Sequence, residues 1–408
     1  MDKQPQNEQC GQSKSGSESE TPNSKSVPHP KYDSGTNALD LINDVDLKGK
    51  TALITGTNSG IGLETARTLC LCGAHIVMAN RNMVASEQIR DKIMKEKVSN
   101  NSLRKIYSLR DNEISSELQP DAEIDLLNLD LSSLQSVEAA AKNYLSKDWP
   151  LHILILNAGV FGPQEKITVD GYERHFGVNH LGHFYLTYLL LPRLRESAPS
   201  RIVIVSSVSH THTGIAPSMS TDEKLRILTA LTPSYSAKFF YRLYANSKLC
   251  NILMAMKLHR MEHQNGVNTY VLHPGTMIAS TGIARGFGFL APLYNALIKP
   301  FTKSLQQGAA TTVYCAVSEH LNSVGFFCIH YLLKGTLRKI PPYPCKNMVD
   351  GVQSKVIRLQ ESGKYYENCC DGENGLSGAL AHDEALQDAL WDKSVELIGK
   401  YEKNRAGN

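Results

Sequence analysis

The chain lacks most features that would tie it to nucleic acid, a membrane or a metal. Its 408 residues carry 43 Lys and Arg against 40 Asp and Glu, a net charge of +3. That is too small to argue for a polyanion or an anionic lipid surface as partner. No run of about 18 apolar residues occurs, so no transmembrane span is expected; the best stretch, Phe326 to Leu333, is too short. Met1 to Tyr32 contains no apolar stretch, and a secretory leader is not expected there. Tryptophan is limited to Trp149 and Trp391. None of the nine cysteines stands in a Cys-x-x-Cys pair, and the close ones are Cys70 with Cys72 and Cys369 with Cys370. No zinc spacing results, and reduced thiols in a reducing compartment are the expectation. A cytoplasmic location follows, with peripheral membrane association left open.

What is present is an alternation of buried strands and helices. Residues 1 to 40 are rich in Ser, Gln, Asn, Lys and Pro, a composition that cannot offset its ordering entropy, so a disordered tail is expected. The domain is expected over 41–402. Thr51–Thr55, His75–Ala79, Leu126–Asp130, His152–Leu156, Arg201–Val205 and Asn268–Leu272 are short, largely continuous apolar runs, as a parallel sheet covered on both faces requires. Helical spacing follows at Gly60 to Cys72 and Asn82 to Lys97, and from a Ser132 cap to Leu145. Lys364–Glu367 and Asp383–Tyr401 read as a last strand and a C-terminal helix. The fold class is α/β, a single Rossmann-type doubly wound parallel sheet of about seven strands. Irregular insertions are expected at 98–123 and 324–361, and an apolar lid at Phe287 to Leu305.

The first strand runs into Thr55-Gly56-Thr57-Asn58-Ser59-Gly60-Ile61-Gly62. Gly56 permits a sharp turn, Gly60 a close approach to a pyrophosphate, and Gly62 close helix packing. The backbone of Asn58, Ser59, Gly60 and Ile61 then lies at a helix N-terminus, where free N–H groups favour anions. The second strand ends Met78-Ala79-Asn80-Arg81-Asn82, without the acidic residue that would hold a ribose 2′-hydroxyl. Arg81 suits a 2′-phosphate instead, so NADP is expected over NAD. Asp130 has two readings, a contact to the adenine edge or an N-cap for the following helix.

Tyr244-Ala-Asn-Ser-Lys248 places a phenol and an ammonium one helical turn apart. The expectation is that Lys248 lowers the pKa of Tyr244 and that the phenol exchanges a proton with an alcohol oxygen. Ser206-Ser207 closes the fifth strand, where a hydroxyl can hold a substrate oxygen. Asn157-Ala158-Gly159 closes the fourth and lets the backbone pass near a cofactor. Asn179 is a lone polar residue in an otherwise largely apolar helix. His180 and His183 lack a third ligand, and no metal is expected.

Taken in order, Thr-Gly-x-x-x-Gly-Ile-Gly at 55–62, Asn-Ala-Gly at 157–159, Asn179, Ser207, Tyr244 with Lys248, and His273-Pro-Gly-Thr276 resemble the short-chain dehydrogenases/reductases. Asn80-Arg-Asn-Met83, Val178 to Tyr185 and Pro300 to Cys315 are similar to the retinol dehydrogenase-like branch, including the oxidoreductase domain of WW domain-bearing members. The resemblance implies Tyr244 as proton donor and acceptor and Lys248 on the nicotinamide ribose. It implies Ser207 on the substrate oxygen and Asn179 holding a relay water. Pro274, Gly275 and Thr276 would line the nicotinamide, with Thr276 on its carboxamide. It implies a small lipophilic alcohol or carbonyl, retinoid- or steroid-like, as substrate, and a possible homodimer. With both tryptophans outside the N-terminal tail, WW-mediated binding of Pro-Pro-x-Tyr partners is not expected. The alternative is a cofactor-binding interaction protein in which catalysis is secondary.

Overall fold

The computed structural model describes residues 32–95, 123–230, 237–275, 303–322 and 362–407. The insertions at 98–123 (Glu123 apart) and 324–361, Thr276, and the lid up to residue 302 lie outside the described residues. The strands are β1 (Thr51–Thr55), β2 (His75–Asn80), β3 (Ile124–Asn128), β4 (Ile153–Leu156), β5 (Ser200–Val205), β6 (Val267–His273), β7 (Tyr365–Glu367) and β8 (Cys370–Asp371). They form one sheet in the order β3-β2-β1-β4-β5-β6-β7-β8. All neighbours are parallel except the β7–β8 pair.

The helices of eight residues or more are α1 (Gly60–Leu71), α2 (Met83–Lys95), α3 (Leu134–Ser146), α4 (Gly182–Glu196), α5 (Thr221–Leu228), α6 (Ala237–Glu262), α7 (Leu305–Val317) and α8 (Glu384–Ala406). Alternate strand residues feed two cores. Leu53, Val77, Leu154 and Ile202 face one layer with buried residues of α3, α4, α6 and α8. Ala52, Ile54, Ile76, Ile155 and Val203 face the other, with buried residues of α1 and α7. Burial on both faces is why these strands read as continuous apolar runs rather than alternating ones. The strand order reverses between β1 and β4, and ligands of open α/β sheets bind at the carboxyl ends beside such a switch point.

Four details differ from the sequence expectation. Tyr32 to Asp40, expected in the tail, are described and pack on the domain. Ala38–Leu41 form a helical turn with Ala38 and Leu41 buried, Leu39 N donates to Gln306 Oε1 at 3.2 Å, and the Tyr32 ring meets Tyr314 at 6.1 Å. A few apolar residues suffice there because α7 supplies the rest of the contact. The third strand spans Ile124–Asn128 rather than 126–130, because Asp130 Oδ1 accepts from Ser132 N and Oγ (2.9 and 2.7 Å) and turns the chain. The cap of α3 is accordingly Ser133, not Ser132. An eighth strand follows a tight turn in which Asn368 and Cys369 have φ of 52° and 60°. Among the described residues no helix is long and apolar enough to cross a membrane.

Candidate functional site

The glycine turn is fastened from several sides. Gly56 sits at φ +75°, with a built Cβ 2.9 Å from Ala158 Cβ, so backbone and turn touch across the switch point. A Cβ on Gly62 would run into the Gly56 carbonyl oxygen and the Asn157 amide. Gly60, at φ +66°, instead opens on free space within 4 Å. Asn157 Nδ2 donates to Thr55 O and Gly56 O at 2.9 and 3.2 Å. Asn58 is held by the start of α2: its Nδ2 donates to Asn82 O and its Oδ1 accepts from Ser86 Oγ, each at 2.9 Å. Ser59 is the N-cap residue of α1, followed by Gly60, Ile61 and Gly62 in its first turn. A helix start leaves its first N–H groups without intrahelical partners.

At the end of β2, Asn80 and Arg81 divide the work. Asn80 is buried; its Oδ1 accepts from Thr57 N and its Nδ2 donates to Thr57 Oγ1, both at 2.7 Å. Arg81 is exposed, and no partner for it occurs among the described residues. Asp130 is not the N-cap of α3, since Ser133 fills that place.

Thr55 is a hub that the motif hid. Its Oγ accepts from Asn157 N and Ala158 N, both at 3.0 Å, and lies 2.9 Å from His183 Nε2. With two donors already on the hydroxyl, its own hydrogen goes to Nε2. The His183 Nδ1–H then donates to Asn179 O at 3.1 Å. Burial holds the His183 pKa down at about 4, with the Asn179 bond opposing and Lys248 reinforcing that fall. His180, by contrast, reaches Ser394 Oγ on α8 at 3.1 Å. The two histidines serve separate partners rather than one ion.

Asn179 lies in a widened helical turn, Phe176–Leu181, that leads into α4. Its Oδ1 accepts from Val160 N at 2.7 Å, while Nδ2 donates to Val160 O (3.1 Å) and Ser247 Oγ (3.0 Å). A built Cβ on Gly159 lies 3.3 Å from Asn179 Oδ1 and 3.5 Å from Lys248 Nζ. A side chain at 159 would therefore fill the space between them.

Tyr244 and Lys248 lie on α6, as the spacing implies. Lys248 Nζ donates to Val205 O at 3.0 Å and lies 5.7 Å from the Tyr244 ring centroid. Ser207 follows β5 and lies near enough to the Tyr244 phenol to lower its pKa, while its hydroxyl donates to Ser209 Oγ at 3.2 Å. Ser207 Oγ also accepts from Ser209 N at 3.2 Å, and Ser207 O is bonded to His210 Nδ1 at 2.7 Å. Ser206 Oγ donates to Lys248 O at 2.8 Å, tying β5 to the helix.

The expected lowering of the Tyr244 pKa is corrected by this geometry. Burial pushes the phenol up to about 12, opposed only by the nearby Ser207 hydroxyl. The buried Lys248 is itself pushed down to about 8. Its Nζ spends a hydrogen on Val205 and stands off the phenol, so desolvation outweighs attraction. Beyond β6, Pro274 and Gly275 are half-buried; Gly275 has φ +105° and a built Cβ there would meet Lys303 at 2.8 Å.

Comparison with known proteins agrees with this arrangement. The family model for short chain dehydrogenase matches residues 50–108 and 105–221. The WW domain-containing oxidoreductase of Gallus gallus is 38% identical over 368 residues, 90% of this chain and 72% of that protein. Retinol dehydrogenase 12 of Homo sapiens is 33% identical over 356 residues, 87% of this chain and 88% of that protein. A solved structure of an uncharacterized protein from Mycobacterium Paratuberculosis is 26% identical with a TM-score of 0.53, covering 89% of this chain and 97% of that one. The chain therefore belongs to the short-chain dehydrogenase family, the NAD(P)-dependent oxidoreductases that act on CH–OH groups.

Proposed function

We propose that the protein is an NADP-dependent oxidoreductase that interconverts an alcohol and a carbonyl on a lipophilic, retinoid- or steroid-like substrate, with Tyr244 as proton donor and acceptor. The observation that carries this reading is convergence. Lys248 Nζ lies 5.7 Å from the Tyr244 ring centroid and beside the backbone gap at Gly159, and Ser207 acts on the same phenol. The glycine turn suits a dinucleotide because Gly60 opens on free space at the N-terminus of α1, where a pyrophosphate is favoured. Asn58, Ser59, Ile61, Asn157, Ala158, Pro274, Gly275 and Thr276 complete the proposed cofactor-binding set, with Asp130 at the adenine end.

Bound there, the nicotinamide supplies or takes up the hydride. In the reducing direction Tyr244, protonated at neutral pH, gives its proton to the developing alkoxide, and Ser207 holds the same oxygen. Lys248 keeps donors beyond the one spent on Val205 for the ribose hydroxyls. Asn179, its amide committed to Val160 and Ser247, holds a relay water on the acceptor capacity its oxygens retain. Arg81, exposed and without a partner among the described residues, supports NADP over NAD. A cytoplasmic location fits the six described cysteines, all free thiols.

Nicotinamide fluorescence titration with NADPH and NADH, followed by a screen of retinoid and steroid carbonyls, tests this. Tighter binding of NADPH is expected; tighter NADH would overturn the Arg81 argument. A second reading, a cofactor-binding protein whose output is interaction, draws on the similarity to WW domain-containing oxidoreductases. A biological effect that survives Tyr244→Phe unchanged would favour it.

A further inference from the structure

Beside Tyr244 lies a buried polar pair that the reaction does not use. Glu173 Oε1 accepts from His175 N (3.0 Å) and His175 Nδ1 (2.7 Å), and Oε2 accepts from Phe176 N (2.8 Å). Their side chains are 2% and 0% exposed. A carboxylate has no hydrogen to give, so Nδ1 carries the proton toward Glu173, and in the neutral ring Nε2 presents its lone pair. Nε2 is buried and has no partner among the described residues. Native interiors seldom keep such an atom unpaired. Anchoring the helix start explains the carboxylate; it does not explain the bare nitrogen.

The position of the ring supplies the explanation. His175 meets Phe240 edge-on at 4.9 Å and Tyr244 at 6.1 Å. Phe161 meets Tyr244 at 4.9 Å and Phe240 at 5.5 Å. His175 precedes Asn179 by one helical turn, as Phe240 precedes Tyr244. Phe161 and His175 thus flank the phenol ring, with Phe240 packed on both, and among these rings Nε2 alone seeks a polar partner.

We propose that His175, oriented by Glu173, is a second recognition point for the substrate: Nε2 accepts a hydrogen bond from a hydroxyl carried a few bonds away from the reacting carbon. The substrate class narrows to lipophilic carbonyls and alcohols that bear a further hydroxyl. This rests on the reading that the substrate reacts at Tyr244.

Two measurements test it. The first compares kcat/KM for the alkanals pentanal to decanal with their ω-hydroxy counterparts, using NADPH. The hydroxy member should be preferred by about tenfold or more at the matching chain length. That preference should fall to near one in His175→Phe, and in His175→Asn, which keeps a donor toward Glu173 but has no atom at the Nε2 position. A preference unchanged in both variants, or none in the wild type at any length, overturns the proposal. The second needs no variant: the Nε2 resonance of 15N-histidine-labelled protein is followed with α,ω-alkanediols and matched monoalcohols. A shift with a diol and none with its monoalcohol is expected; no diol-specific shift overturns the proposal. If no aldehyde is reduced while the diol still moves Nε2, the oxidoreductase reading fails and the recognition point stands.

Discussion

Replacing Thr55 with valine would test the hub that joins the two sides of the switch point. The two side chains are nearly isosteric, so the exchange opens no cavity and removes only the hydroxyl. The structure shows what that hydroxyl holds: the N–H groups of Asn157 and Ala158 at 3.0 Å each, and His183 Nε2 at 2.9 Å. Thr55 and His183 are almost wholly buried, so water cannot replace the lost bonds freely. An unsatisfied buried group costs about 1 to 3 kcal/mol, and the two N–H groups are only partly buried. Thr55→Val is therefore expected to cost about 2 to 4 kcal/mol of unfolding free energy. Thr55→Ser, which keeps Oγ, should recover most of it. Urea unfolding of the three proteins measures this, with NADPH titration alongside, because the Asn157 turn also abuts Gly56. A Thr55→Val protein within about 0.5 kcal/mol of wild type would refute the assignment of the hydrogen bonds.

Three further outcomes follow from the same geometry. Gly62→Ala puts a Cβ into the Gly56 carbonyl, so NADPH affinity should fall at least about tenfold while the Gly60 cradle is displaced; fluorescence titration checks it. Arg81→Ala should weaken NADPH by about ten- to a hundredfold, the worth of a charge-assisted bond, and leave NADH nearly unchanged; equal losses for both cofactors would remove Arg81 from the phosphate. Lys248, pushed down to about 8 from 10.5, binds its proton less readily in the folded than in the unfolded chain. Its penalty is constant below pH 8 and is relieved as pH rises from about 8 to 10.5, a gain of about 3 kcal/mol in all. Buried cysteines and tyrosines with raised pKa values cost stability in the same window. The Lys248 gain should therefore appear in urea unfolding as a difference between wild type and Lys248→Met that changes by about that amount from pH 8 to 10.5.

Much of the framework was legible because a parallel sheet buries both faces and writes its strands as apolar runs. β1 and α1 stand within a residue of expectation for that reason. β3 was displaced because Leu129, although buried, lies past the end of the strand. The turn that removes it is a side-chain effect of Asp130 on Ser132, which a hydropathy pattern does not register. Thr55 and His183 are separated by 128 residues, so no local spacing joins them, and His183 was weighed only against a metal. Asn80 sat beside the more conspicuous Arg81, and its two short bonds to Thr57 emerge only once the strand end meets the turn. Glu173 and His175 stand in no motif that sets them apart in the sequence. The Tyr244 pKa was expected with the wrong sign because spacing reports the neighbouring charge and says nothing of desolvation.

The central claim is hydride exchange with a carbonyl substrate, with Tyr244 moving the proton. Its most direct test is transfer of deuterium from NADPH labelled on the nicotinamide C4 to the carbonyl carbon of a retinoid or steroid substrate. The account predicts label on the carbinol carbon with the wild-type protein and a loss of about a hundredfold or more in its rate with Tyr244→Phe. Equal labelling rates in the two proteins, or no labelled product from any carbonyl tried, would contradict it.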